Sequence, residues 1–260
     1  NRFGYAHTRP RWYETLQRTG AKMPRRKFRD RDWKDRTLRE RRHDRTVPGA
    51  TAIVVSDADI LALMTSSDTS TLPNTLPSIA ARRIGAALEA VGSLVAHAGE
   101  IDSIADELAR RLARGGTIFT AGNGGSAAEA LHLAEELIGR YRSNRPPLRA
   151  ICLAADSTAL TCIANDFGFA EIFARQSEAL LGPLDALVLF STSGRSENIV
   201  RAALVARKKG TFVVGLLGGT GGETRPQCDA VLVVQGRDSA AIQEAHQVIL
   251  HAICERLETP

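Results

Sequence analysis

From residue 117 to residue 257 the chain alternates short, near-continuous apolar runs with amphipathic helical patterns, and this alternation constrains the fold more than any other feature. The apolar runs are residues 117–120, 149–153, 186–190, 212–217 and 230–234, and helical patterns occupy 126–139, 158–182, 196–208 and 239–257. A strand apolar at every position must be covered on both faces, and only a parallel sheet with helices on either side provides that cover. The pattern predicts an α/β fold with a doubly wound, five-stranded parallel sheet. Two further helical patterns, 78–98 and 101–113, precede it, the second closing at Gly115-Gly116 as helix C-termini do. In such sheets ligands bind beyond the carboxyl ends of the strands, so the loops after residues 120, 153, 190 and 217 are the places to inspect.

Charge divides the chain at a different point. Residues 1–50 hold 16 Lys and Arg against 6 Asp and Glu, whereas residues 51–260 hold 18 against 23. The net charge of +5 therefore belongs to the first fifty residues, and the foldable part is mildly acidic and offers no basic stripe for nucleic acid. Residues 1–77 read as a basic, disordered extension ending in a Ser/Thr/Pro linker, with a single domain over 78–260. Met64 stands just before that linker, so residues 1–63 read either as an upstream translation artefact, the preferred reading, or as a native disordered arm for an anionic partner. The apolar run Ala52 to Met64 is broken by Asp57 and Asp59 and is too short to cross a bilayer. With no export signal and four scattered cysteines, the expectation is a cytoplasmic protein with reduced thiols.

Two loops carry chemistry. Ser191-Thr192-Ser193-Gly194-Arg195-Ser196 places four hydroxyls and a glycine between a strand and a helix. Side-chain donors, free backbone N–H groups and the positive end of a helix dipole then converge, which is an anion site. One capping serine would suffice for an ordinary helix start; four hydroxyls favour phosphate. After the first strand, Gly122-Asn123-Gly124-Gly125-Ser126 is neither a Walker loop nor a dinucleotide fingerprint. It reads as a second loop able to approach a ligand with its backbone. The helix it opens carries His132 and Glu136, an i, i+4 pair suited to a metal or to proton transfer but by itself better explained as a solvated surface pair.

Taken together these segments resemble the sugar isomerase (SIS) domain, specifically its phosphoheptose isomerases, over about Ser78 to Leu257. The resemblance rests on Gly122 to Ser126, His132-Leu133-Ala134-Glu135-Glu136-Leu137 with Gly139-Arg140-Tyr141, Asn165-Asp166-Phe167-Gly168-Phe169, Ser191 to Gly194, and Ile242-Gln243-Glu244 with His251. It implies a flavodoxin-like sheet and conversion of sedoheptulose 7-phosphate into D-glycero-D-manno-heptose 7-phosphate. It implies one zinc ion per subunit at His132, Glu136, Gln243 and His251, with Glu136 and His251 as the acid/base pair. Sugar-phosphate contacts fall on Asn123, Gly124, Gly125, Ser126, Glu136, Asn165, Asp166, Ser191, Thr192, Ser193, Ser196 and Gln243. The chain departs from many relatives at Ala240 and from some at Ala127.

Gln243 and His251 lie eight residues apart, ~12 Å along a helix, which strains a single metal site and predicts a homo-oligomer, a tetramer by resemblance, with sites near subunit contacts. His246 is the fallback ligand. Two other functions fit parts of the pattern: a non-enzymatic adaptor of the same superfamily that binds a replication initiator, and a sugar-phosphate sensor. Neither needs both Glu136 and His251.

Overall fold

The computed structural model describes residues 78–259; the extension, linker and artefact readings for residues 1–77 lie outside the described residues. The elements in chain order are α1 (Ile79–Gly92), a 3-10 turn (Ser93–His97), α2 (Ala98–Ala113), β1 (Ile118–Gly122), α3 (Gly125–Ile138), β2 (Ala150–Cys152) and α4 (Ser157–Phe167). After a short 3-10 turn (Phe169–Glu171) come α5 (Ala174–Leu180), β3 (Ala186–Ser191), α6 (Glu197–Lys208), β4 (Phe212–Gly218), a 3-10 segment (Gly222–Gln227), β5 (Ala230–Val234) and α7 (Ser239–Glu258).

All five strands are parallel, in the order β2-β1-β3-β4-β5. The predicted doubly wound sheet is therefore the one observed, in the flavodoxin-like order. Its apolar runs divide by the strand period of two. On one face Ile118, Val188, Phe190, Val214 and Leu216 pack with α1, α2, α3 and α7. On the other, Phe119, Ala121, Leu187, Leu189 and Val213 pack with Ile172, Phe173 and the α6 residues Ile199, Ala202 and Ala206.

Two local boundaries differ from the sequence reading. The break in the first helical pattern falls at 93–97 rather than near 99, because the Ser93 hydroxyl donates to the Ala90 carbonyl at 2.7 Å and the chain tightens into a 3-10 turn there. The helical segments expected across 158–182 are present as α4 and α5 with a 3-10 turn between them, the first ended by Gly168 with φ of 89°. Strand β1 runs on through Ala121 and Gly122, which pair with Leu189 and Phe190. A Cβ on Gly122 would lie 2.2 Å from the Ser126 carbonyl oxygen, so the glycine is required by the tight return into α3 and does not mark the strand's end. Among the described residues, the helical run most like a membrane span in length and apolarity is Ile79–Ala113. Its Ala86, Ala90, Ile104 and Leu108 are buried in the same core as Ile249 and Leu250 of α7.

Candidate active site

Sheet order decides where the two loops meet. With β1 and β3 adjacent and their neighbours leaving in opposite directions, the crevice between their carboxyl ends is the topological switch point. Asn123 follows β1 and Ser191 ends β3, so both loops open into it. There Asn123, Ser126, Phe190, Ser191, Thr192, Ser193, Ser196 and Gln243 line a cavity of about 70 Å³. It is small and polar, on the scale of an anionic group rather than a whole sugar. A larger open groove of about 650 Å³ lies at the other end of the sheet, beside Glu107, Arg110, Phe212 and Ala230, where strands begin and parallel folds do not bind substrates.

Within the Ser/Thr loop the hydroxyls have separate tasks. Ser191 Oγ accepts from the Gly194 N–H at 3.0 Å, and Ser193 Oγ accepts from the Arg195 N–H at 3.2 Å. Ser196 stands at the N-cap of α6 but makes no capping hydrogen bond. The ordinary explanation for a serine at that position is therefore not realised, and its hydroxyl is left to the cavity it lines. Two residues that sequence reasoning passed over hold the crevice in shape. Asn198, 1% exposed, exchanges two 2.9 Å hydrogen bonds with Asn123, tying one loop to the other. Thr224, fully buried, donates both its backbone N–H (3.0 Å) and its hydroxyl (2.7 Å) to the Gly194 carbonyl. No sequence signal marks Thr224, because its partner lies thirty residues away.

The second group lies farther down the same two helices. His132 and Glu136 on α3 and His251 on α7 place ligand atoms within 4.8 Å of one another. His132 Nε2 is 3.3 Å from Glu136 Oε1, and the His132 and His251 rings meet edge to face with centroids 5.1 Å apart. Two imidazoles and one carboxylate this close together are a donor set that could hold a divalent metal ion. Burial first, then the neighbouring His132 and Arg142, hold the His251 imidazole below its ordinary pKa against the opposing pull of Glu136. At neutral pH it is therefore uncharged, with a lone pair to offer.

Gln243 does not join this group within the chain. Its amide lies against Gly125, where a Cβ would approach to 2.4 Å, and it lines the anion cavity. Eight residues of helix separate it from His251, and that spacing delivers the two side chains to different groups. Asn165 and Asp166 are also not brought to the cavity: they are exposed at the end of α4, with the Asn165 amide donating to Asp166 at 2.7 Å. His246, the fallback ligand, is fully buried and sits 3.6 Å from the buried Glu129 carboxylate, away from the His132 group. Glu135 is exposed, with its carboxylate 3.9 Å from His132 Nε2.

Tyr141 stacks on His251 with ring centroids 5.4 Å apart. The loop carrying it is held by Glu258 at the end of α7, whose carboxylate accepts from the N–H groups of Tyr141, Arg142 and Ser143 at 2.7–2.9 Å. Desolvation pushes this carboxylate up, but the three N–H groups and Arg145 outweigh it and push the pKa down to about 2. The stabilisation is present in full above the ordinary value of 4.5 and is lost as pH falls from there toward 2. Glu258→Gln is expected to remove that part of the acid dependence. The check is a set of urea unfolding curves between pH 6 and pH 3, and parallel pH dependence in the two proteins would contradict it.

The sequence matches the SIS domain family over residues 79–218. It is 48% identical over 162 residues to a phosphoheptose isomerase of Solidesulfovibrio magneticus, covering 62% of this chain and 79% of that one. The chain belongs to the SIS domain family, among its phosphoheptose isomerases. Solved structures agree with this. That of the phosphoheptose isomerase from Neisseria gonorrhoeae is 36% identical and superposes with a TM-score of 0.61 over 68% of this chain and 94% of its own. That from Francisella tularensis is 32% identical, with a TM-score of 0.63 over 70% and 99%. As a phosphoheptose isomerase the protein is an aldose–ketose isomerase, and the adaptor and sensor readings fall away.

Proposed function

We propose that the chain interconverts sedoheptulose 7-phosphate and D-glycero-D-manno-heptose 7-phosphate through an ene-diol(ate), supplying heptose for biosynthesis in the cytoplasm. The observation that carries this reading is the pairing of Glu136 with His251 on the two helices that begin at the anion cavity. The phosphate sits among Ser191, Thr192, Ser193 and Ser196, where the α6 N-terminus and the hydroxyls favour a doubly charged group. Asn123, Gly124, Gly125, Ser126 and Gln243 line the approach, and Asn165 and Asp166, exposed at the end of α4 away from this cavity, would reach a sugar only at a site shared between subunits.

Of Glu136 and His251, one takes a proton from C1 and the other returns one to C2, while the O1 proton leaves and O2 gains one as the carbonyl moves from C2 to C1. His132, Glu136 and His251 would hold a zinc ion, with Gln243 the fourth donor implied by resemblance, and the chemistry available there is polarisation of the sugar's carbonyl oxygen. Glu136 has two carboxylate oxygens, so one can face an ion while the other handles the proton.

The distance between the two groups supports a shared site. Ser126 and Glu136 are ten residues apart on α3, ~15 Å along the axis, and Gln243 and His251 repeat the offset on α7. A homotetramer in which one subunit's acid/base group closes on another's anion cavity brings them together. The apolar side chains around these surfaces suit burial between subunits: Leu131 and Val248 beside the His132 group, Phe167 and Phe169 after Asp166, and Ile79, Ile84, Leu88 and Val95 along the first helical segment are all exposed.

Purified protein given a panel of ketose phosphates, with and without zinc, is expected to form the aldose phosphate from sedoheptulose 7-phosphate preferentially. Absence of any aldose phosphate would defeat the reading. Mixed oligomers of a Ser193→Ala variant and a Glu136→Gln variant are expected to recover turnover that neither has alone. Verified mixed oligomers without recovery would place each working site within one chain.

A further inference from the structure

His132 has a second neighbour that none of the recognition motifs includes. Its Nδ1 lies 2.9 Å from Gln247 Oε1, while its Nε2 lies 3.3 Å from Glu136 Oε1 on the side of His251. Both of these oxygens accept, and a neutral imidazole has one proton to give; with the Gln247 amide oxygen facing the ring, the shorter 2.9 Å contact favours that proton on Nδ1 over the 3.3 Å contact to Glu136. The Nε2 lone pair is then turned toward Glu136 and His251. We propose that Gln247 is a positioning residue that selects the Nδ1–H tautomer of His132 and so readies Nε2 to bind a metal ion, an inference that rests on reading His132, Glu136 and His251 as the metal group.

The placement of Gln247 follows from helix geometry. It precedes His251 by four residues on α7, so one face of that helix delivers both the third donor and the group that orients the first. Gln247 is half-buried, which shields the contact from competing water. One turn toward the start of α3, the same two helices are joined by a second polar contact. Glu129 and His246, 2% and 0% exposed, face each other at 3.6 Å with no other polar partner among the described residues. Each is buried without a hydrogen-bond partner, so moving them farther apart in the apolar core would cost further polar desolvation. The pair resists sliding of α7 along α3, and Gln247 therefore stays in register with His132. Outer hydrogen bonds of this kind fix ring orientation and ligand basicity, and removing one typically weakens metal binding about 10–100-fold.

The test uses the full chain stripped of metal and labelled with ¹⁵N-histidine. His132, assigned by loss of its signals in His132→Asn, is expected to show a protonated Nδ1 and an unprotonated Nε2. In Gln247→Leu, which keeps the bulk but removes the acceptor, the Nδ1–H signature should be lost and Zn²⁺ affinity, measured by chelator competition, should fall about 10–100-fold. Gln247→Glu, which restores an acceptor, should recover both. An Nε2–H tautomer in the unsubstituted protein, or unchanged tautomer and affinity in Gln247→Leu, would overturn the proposal. Failure of the isomerase reading would look different: no turnover, with the Nδ1–H signature intact.

Discussion

Glu136→Gln is expected to lower kcat by roughly 10²–10⁴-fold, the range supplied by a positioned proton-transfer group, while leaving the affinity for inorganic phosphate near its original value. The change removes a base but keeps size and one carbonyl oxygen, and Glu136 lies on α3 well away from the Ser191–Ser196 loop. Steady-state kinetics with sedoheptulose 7-phosphate, together with phosphate inhibition constants, separate the two effects. Turnover within tenfold of the unsubstituted enzyme would remove Glu136 from the chemistry. A parallel loss of phosphate binding would mean that the substitution had disturbed the fold rather than the proton transfer.

The second large effect is structural. Gly194→Val is expected to destabilise the domain by about 3 kcal/mol or more and to raise KM sharply. Gly194 holds φ at 63°, and a Cβ there would lie 2.0 Å from the Gly221 carbonyl oxygen, with both partners being backbone. The loop could admit the side chain only by moving away from Gly221 and Gly222, which would break the two hydrogen bonds from Thr224 and release the hydroxyls from their common focus. Gly219 provides the control. Its φ is 61°, yet nothing lies within 4 Å of a Cβ, so Gly219→Ala should cost only the local strain, about 1 kcal/mol. Thermal unfolding and KM measured on both variants check the argument, and similar losses in the two would show that strain, not the close approach, sets the cost.

Much of this architecture was legible because it depends on local and periodic properties. Runs such as Ala186 to Phe190 are apolar at every position, and a strand of that kind has few alternatives to a covered parallel sheet. Phosphate loops are legible for a related reason: a helix N-terminus, its hydroxyls and its glycines are contiguous in sequence, so Ser191 to Ser196 could be read as a unit. Where boundaries were misplaced, the deciding contact was usually tertiary. Gly122 resembles a turn residue, but it belongs to β1 because its pairing with Phe190 and its approach to Ser126 are made by other segments.

Spacing and residue type were sufficient for the fold class and the anion loop, whereas the candidacy of Glu136 and His251 came from resemblance to a family, since neither residue's local pattern distinguishes it from a solvated side chain. Only the tertiary structure could divide Gln243 from His251, give one to the cavity and the other to His132 and Glu136, and bring Gln247 to the far side of the His132 ring. These outcomes depend on the relative rotation and register of α3 and α7. That register is set by which side chains interlock between two helices more than a hundred residues apart, and no local pattern in either segment encodes it.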